Sequence, residues 1–131
     1  MPLKRERVLC VADGGEDGAS ISSRFSPSIY DVTTATTVAA ALGLAASESF
    51  ALYLFAVELP NGEGVELCAR VREFDPETPI LFLLNSPYEV EWSRLAIAGA
   101  TGYMVRGGGL DGLVNQVSRL INGSDGRGEA S

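Results

Sequence analysis

The 131-residue chain contains no histidine, one tryptophan and only two cysteines. Without histidine, a zinc site, a Ser-His pair and a Cys-His pair all lack the residue that they most often use. Cys10 and Cys68 fall inside apolar segments and have no metal-ligand spacing, so we expect both to be small hydrophobic core residues. These absences remove the commonest catalytic and metal chemistries, and such cysteine usage is typical of a reducing cytoplasm.

Basic residues are also scarce, since ten Lys and Arg stand against 17 Asp and Glu and give a net charge of −7. We expect such an acidic chain to bind neither nucleic acid nor anionic membranes nonspecifically. No apolar run approaches the roughly 20 residues of a membrane span. Residues 1–7 carry charges without the apolar stretch of a signal peptide behind them. The sequence therefore predicts one cytoplasmic globular domain, residues 1–122, and a polar, disordered tail, residues 123–131.

The most informative segment of the chain is an apolar run followed by a turn-rich stretch. The run from Leu52 to Val57 is unbroken and has the length of a strand, which is typical of a strand buried on both faces. Residues 58–64 (ELPNGEG) are rich in turn formers and end that strand. In open α/β sheets, ligands gather at the carboxyl ends of the strands, so Ala56 occupies a place where a reactive group is expected. Alanine has no chemistry to offer there.

Strand and helix patterns alternate about five times along the chain. The other predicted strands are residues 7–12, 29–34, 79–84 and 101–105. The first predicted helix covers residues 17–25, and the second is capped by Thr36 or Thr37 and has an apolar stripe of Val38, Ala41, Leu42 and Ala45. The third begins after Gly64, is ended by Asp75-Pro76 and carries Val65, Cys68 and Val71 on one face. The fourth passes through Trp92, Leu95, Ala96 and Gly99, and the fifth begins at Leu110 and is closed by Gly123. This order predicts an α/β, flavodoxin-like fold, in which a doubly wound five-stranded parallel sheet carries helices on both faces. The alternating strand 29–34 belongs at an edge of that sheet.

Four segments in this order and spacing resemble a known family. They are RVLCVAD (7–13), FALYLFAVELPNGEGVEL (50–67), TPILFLL (78–84) and AGATGYMVRG (98–107). Together they resemble the CheY-like receiver domains of two-component response regulators, over about residues 7–121. The resemblance implies a signalling protein whose partner is a histidine kinase, another regulator or an effector domain.

The resemblance also implies a phosphoryl site, and the chain departs from the family there. The family's site consists of an acidic pair, a phosphorylated aspartate, a hydroxyl residue and a lysine. In this chain those places are taken, in that order, by Ala12 and Asp13, Ala56, Leu84 and Arg106. Phosphoryl transfer needs a carboxylate nucleophile and a divalent cation held by oxygens, which alanine does not supply. We therefore expect no phosphoacceptor, catalytic residue, bound metal or cofactor.

Several alternatives remain at this site. Glu16, Asp17 and Glu58 are candidates to complete a metal site with Asp13, although acidic loop residues are usually solvated. Ser86 is a candidate for the missing hydroxyl, against a simpler role as a helix cap beside Pro87. We expect the Arg106–Gly107 peptide to be trans, because the family's proline is absent, and we expect Arg106 to turn towards solvent.

In the family, the surface made by the last two helices and the last strand commonly mediates dimers or partner docking. Tyr88, Trp92, Tyr103 and Arg106 are expected on or beside that surface, and aromatic and arginine residues are enriched at interfaces. The resemblance also places Tyr103 where the family has the aromatic residue that rotates in its switch, and tyrosine is aromatic too. Trp92 and Tyr88 have the alternative role of packing at the edge of the core.

Our interpretation is a degenerate receiver, or pseudo-receiver, that acts as a phosphorylation-independent protein–protein interaction module and not as an enzyme. A homodimer is one candidate assembly. An alternative is a small-ligand sensor that uses the cleft at the carboxyl ends of the strands. A weaker one is a flavin- or nucleotide-binding enzyme on the same fold.

Overall fold

A single five-stranded parallel sheet forms the centre of the protein in its computed structural model, which describes residues 5–12, 21–56, 63–84, 92–105 and 112–126. The strands are β1 (Glu6–Val11), β2 (Tyr30–Ala35), β3 (Leu52–Ala56), β4 (Ile80–Leu84) and β5 (Gly102–Val105). Their order in the sheet is β2-β1-β3-β4-β5, and every pair is parallel. The predicted flavodoxin-like fold is therefore confirmed, with the alternating strand β2 at an edge.

The described helices are α1 (Val38–Ser47), α2 (Glu63–Arg72), α3 (Trp92–Ala98) and α4 (Leu113–Gly126). None of them is long and apolar enough to cross a membrane. Of the predicted helix 17–25, the structure describes the part from Ile21, where two helical residues lead into a turn. That helix therefore ends at Ser22 and does not reach Phe25.

The sheet separates two apolar cores, because successive side chains of a strand point to opposite faces. Along β3, Tyr53 and Phe55 join the core beneath α1, α2 and α3, whereas Leu52 and Leu54 join the core beneath α4. All five residues of β4 are buried. The described side chains of the first apolar run, Leu52–Phe55, and those of the second, Ile80–Leu84, are thus buried on both faces, as predicted.

Two helix boundaries show how local chemistry sets the ends of these elements. Thr37, and not Thr36, caps α1, since its side-chain oxygen accepts a hydrogen bond from the Ala40 N–H at 3.1 Å. Gly99, predicted within the helix through Trp92, lies just beyond α3 with a left-handed φ of +110° and ends that helix. Ala96, which was predicted within the same helix, is exposed.

The end of α4 differs from the prediction. The helix continues through Gly123 to Gly126, so glycine does not close it where the sequence placed its end. A glycine inside a helix costs only about 1 kcal/mol relative to alanine and therefore does not force termination. Residues 127–131 lie outside the described residues, and the predicted boundary between domain and tail stays a prediction.

Candidate functional site

The carboxyl edge of the sheet brings together three of the positions predicted to form the degenerate site. β1, β3 and β4 are neighbours, with Val11 paired to Phe55 and Ala56 paired to Leu83. Ala12 follows β1 directly, and its N–H donates to the Ala35 carbonyl at 3.1 Å. The backbones of Ala12, Ala56 and Leu84 therefore lie at one edge, where α/β sheets place their ligands.

The described side chains at this edge are apolar and buried. Ala12 is 2% exposed and Leu84 is 1% exposed, and each belongs to a different core cluster. Ala56 ends β3, and its side chain is outside the described part of the chain. Among the side chains that the structure describes, the buried ones are all apolar, aromatic or cysteine, and no three Asp, Glu, His or Cys residues form a metal-binding group. A phosphoryl group or a cation would meet methyl and isobutyl groups at these positions.

Other predicted site residues lie outside the described residues: Asp13, Glu16, Asp17, Glu58, Tyr88, Ser86 and Arg106. The predicted trans peptide between Arg106 and Gly107 lies there too. Their proposed positions stay predictions.

Two residues of the predicted interaction surface are described, and they contact each other. Trp92 at the start of α3 is 40% exposed and Tyr103 on β5 is 43% exposed. Their ring centroids are 5.2 Å apart with an interplanar angle of 37°. We call this pair the Trp92–Tyr103 ridge. Both rings of the ridge are therefore partly exposed at the surface.

One surface residue of α3 was missed by the sequence analysis. Ile97 is 87% exposed, while Leu95 on the same helix is fully buried. Residues two apart on a helix point about 200° apart, so the position of Leu95 already indicated that Ile97 faces outward. The outer surface of α3 therefore carries a large exposed apolar side chain.

The opposite, amino edge of the sheet holds a partly buried polar contact. The Tyr53 hydroxyl donates to Asp75 Oδ2 at 2.7 Å, while Asp75 Oδ1 accepts the N–H groups of Glu77 and Thr78. Burial and the hydrogen bond to Asp75 both raise the pKa of Tyr53. Burial alone would raise the pKa of Asp75, but the hydrogen bonds from Tyr53, Thr78 and Glu77 outweigh it and lower that pKa. Sequence patterns did not reveal this pair, because nothing local links residues 22 positions apart.

Arg72 joins the ends of α2 and α3 at the same edge. Its Nε donates to the Gly99 carbonyl and its Nη1 donates to the Asp75 carbonyl, both at 2.9 Å. A Cβ atom on Gly99 would lie 2.5 Å from Arg72 Cγ, so the glycine allows the close approach. Cys68, buried as predicted, donates from Sγ to the Ala98 carbonyl at 3.4 Å, and burial raises its pKa to about 11.

A second arginine is held at the amino edge. The Arg7 guanidinium lies 4.7 Å from the centre of the Phe50 ring and forms ion pairs with Glu48 and Asp31. A cavity of about 420 Å³ lies beside this group, lined by the end of α1, Phe50, Phe74, Asp75 and Thr78. The side chains of Asp75 and Glu48 both have partners within the chain, which indicates a structural role for them.

Comparison with known proteins agrees with the geometry. The model of the response regulator receiver domain matches residues 8–118. The structure of chemotaxis response regulator CheY4 from Vibrio cholerae is similar with a TM-score of 0.80 and 26% identity, over 89% of this chain and 99% of that one. A CheY-like receiver domain from Methanospirillum hungatei gives a TM-score of 0.80 and 23% identity, over 95% of this chain and 100% of that one. TrrA from Thermotoga maritima, solved in complex with Mg²⁺-BeF, gives a TM-score of 0.77 and 23% identity, over 88% of this chain and 98% of that one.

A search of curated proteins found no match. Since the family model covers most of the chain, the protein belongs to the response regulator receiver domain family. It is a receiver domain of two-component signalling.

Proposed function

We propose that this chain is a pseudo-receiver, which takes part in two-component-type signal transduction as a protein–protein interaction module and is not controlled by phosphorylation of its own aspartate position. The observation that supports this is the apolar carboxyl edge of the sheet. Ala12 and Leu84 are buried there, and an alanine, Ala56, ends β3. The receiver scaffold is kept while the groups that would accept phosphate are absent from these three positions.

The physical reason is the charge of the phosphoryl group. A phosphoryl group on a protein carries about two negative charges near neutral pH. Its transfer to a side chain needs a nucleophile and a cation or donors that neutralise the developing charge. Ala12, Ala56 and Leu84 supply neither an oxygen ligand nor a hydrogen-bond donor from their side chains. We infer that the domain neither binds magnesium at this edge nor catalyses its own phosphorylation.

The proposed interaction surface is the Trp92–Tyr103 ridge together with Ile97. These three exposed side chains come from α3 and the edge strand β5, and aromatic residues dominate the energetics of many interfaces. The proposed partner is a histidine kinase, another regulator, an effector domain or a second copy of this chain. Such partners are found in the cytoplasm, which is the compartment we propose.

Phosphorylation is tested directly with a small phosphodonor and Mg²⁺, read by intact-mass spectrometry. We expect no phosphoryl adduct and no binding of a beryllium fluoride mimic. TrrA from Thermotoga maritima, which was solved with that mimic, is the positive control for the binding assay. Ala56→Asp alone is expected to stay inert, because Ala12 and Leu84 remain. A stable adduct on the wild-type protein would refute the proposal.

The interaction surface is tested with Trp92→Ala, measured by light scattering, partner affinity and thermal melting. We expect self-association or partner binding to weaken more than folding does, because the side chain is already 40% exposed. Ile29→Ala is a matched control, since Ile29 is a large exposed apolar residue next to β2, at the other edge of the sheet. If association is unchanged while the melting temperature falls strongly, Trp92 is a packing residue.

A further inference from the structure

The edge strand β2 has backbone groups on its outer side that nothing in the described part of the chain pairs with. The carbonyls of Ile29 and Ala35 accept hydrogen bonds from the β1 side of the sheet, at 2.8 and 3.1 Å. Alternate residues of a strand turn their N–H and C=O groups to the same side, so the odd-numbered residues of β2 face β1. Val32 and Thr34 therefore turn theirs outward, where no described residue hydrogen-bonds with them.

β2 also lacks the features that usually keep an edge strand from pairing with another chain. Natural edges are often protected by lysine, proline or a bulge. The sequence of β2 is YDVTTA, and its register with β1 runs from Tyr30 to Ala35 without a bulge. Its side chains from Asp31 to Thr34 are half-buried or exposed. The other edge strand, β5, is shorter and begins with glycine, so β2 is the edge better suited to add a strand.

We propose that two copies of this chain pair through their β2 strands, running antiparallel about a two-fold axis at Thr33. In this register Val32 lies opposite the partner's Thr34, and the two residues exchange two backbone hydrogen bonds. The same pair recurs on the other side of the axis, as an isologous interface requires. Every outward N–H and C=O group of Val32 and Thr34 then has a partner, and the two sheets become one continuous sheet.

The side chains in this register are self-complementary, which favours a second copy over an unrelated peptide. Thr33 lies opposite the partner's Thr33, and paired threonines stabilise neighbouring strands. Asp31, the only acidic side chain of β2, lies opposite the partner's Ala35, so no two carboxylates meet. Its charge is also balanced within the chain by Arg5 at 4.0 Å and Arg7 at 3.7 Å. The Trp92–Tyr103 ridge stays free for another protein, so the inference goes beyond the proposed function.

The first experiment measures self-association by analytical ultracentrifugation over a range of protein concentrations. Thr34→Pro removes one outward N–H and leaves the hydrogen bonds to β1, because proline is tolerated where the N–H of an edge strand faces solvent. We expect it to weaken the dimer by at least about tenfold, since each dimer loses two donors. Thr34→Val keeps the N–H and the branched shape, and it is the control with a dissociation constant within about twofold of the wild type.

The second experiment tests the position of the two-fold axis by cross-linking with diamide as the oxidant. Residues that face each other at Thr33 form a non-hydrogen-bonded pair with Cα atoms about 4.5 Å apart, a separation that a disulfide spans. We expect Thr33→Cys to give a covalent dimer in intact-mass spectra. Thr34→Cys, which faces the partner's Val32, is the control and is expected to cross-link far less. Cys10 and Cys68 are buried and do not interfere.

A wild-type protein that stays monomeric at its highest soluble concentration would overturn the proposal. So would a dimer that Thr34→Pro leaves intact, or equal cross-linking of Thr33→Cys and Thr34→Cys. If Thr34→Pro does not fold, the two cysteine variants decide. A dimer that is lost in Trp92→Ala and kept in Thr34→Pro would place self-association on the ridge instead. Ile29 lies outside the paired segment Asp31–Ala35, so Ile29→Ala remains a control in both cases.

Discussion

The two edges of the sheet differ in the polarity of the side chains that the structure describes there. At the amino edge, Tyr53, Asp75 and Arg72 are linked by hydrogen bonds that end within the chain. At the carboxyl edge, the described side chains of Ala12 and Leu84 are apolar and buried. The polar groups that the structure describes at the amino edge thus bind within the fold. The side chains that it describes at the carboxyl edge, where this class of sheet places its ligands, contain no oxygen.

Placing a carboxylate at the carboxyl edge would change the difference between the two edges most. We expect Ala12→Asp to lower the free energy of unfolding by about 3 kcal/mol, because a buried charge would lack a partner or a cation. Urea denaturation measures this loss. Ala39→Asp, at an exposed position in the first turn of α1, is the control and is expected to change stability by less than about 0.5 kcal/mol. A comparably small loss for Ala12→Asp would mean that the edge is still solvated like an acidic site.

At the amino edge, the largest effect is expected for Gly99→Ala. The new Cβ would meet Arg72 Cγ at 2.5 Å, and φ is +110°, so we expect a loss of about 2 kcal/mol. Gly43→Ala is the matched control, because a Cβ there meets nothing within 4 Å and the residue lies inside α1. That variant is expected to stabilise the protein by about 0.5–1 kcal/mol. Equal losses in the two variants would show that the Arg72 contact does not matter.

Features that depend on residues close together in the sequence were predicted better than contacts between residues far apart in the sequence. The strands β3 and β4 and the Thr37 cap follow from neighbouring residues, and they were predicted. The meeting of Ala12, Ala56 and Leu84 followed from the strand order of the fold. Leu67, fully buried on α2, was missed from the apolar face of that helix.

Contacts between distant side chains were not predictable from such patterns. The pairing of Tyr53 with Asp75 and of Arg72 with Gly99 depends on how strand β3 and the ends of helices α2 and α3 pack in the folded protein. In the sequence, Tyr53 is simply one residue of an apolar run, and no neighbouring residue indicates a hydrogen-bond partner for its hydroxyl. The end of α4 was misplaced because glycine weakens a helix without always ending it.

A smaller loss is expected for Tyr53→Phe. Removing the hydroxyl leaves Asp75 Oδ2 without its donor, and we expect the free energy of unfolding to fall by about 1–2 kcal/mol. Tyr30→Phe is the control: Tyr30 is also buried, and its hydroxyl has no hydrogen bond to another described residue. If both substitutions have the same effect, the Tyr53–Asp75 bond contributes nothing specific.

The smallest expected effect is on the pH dependence of stability that the Tyr53–Asp75 pair gives to the amino edge. The pKa of Asp75 is lowered in the folded state, so its contribution is present above the usual value of 3.8 and is lost as the pH falls. The pKa of Tyr53 is raised, so its contribution is present below 10.0 and is lost as the pH rises past that value. We expect the urea midpoint of Tyr53→Phe to vary less than that of the wild type at both extremes. If the urea midpoints of the two proteins changed with pH in the same way, the pH dependence would not come from the Tyr53–Asp75 pair.

The interior position of β1 in the sheet affects how the chain folds during synthesis. β1 pairs with β2 on one side and with β3 on the other, where Val8 faces Leu52. When β1 and β2 have left the ribosome, the second edge of β1 therefore stays open until residues 52–55 are made. An unpaired apolar edge of this kind promotes association between nascent chains. We therefore expect a fragment that ends before the central strand β3 to associate more readily than the whole domain does.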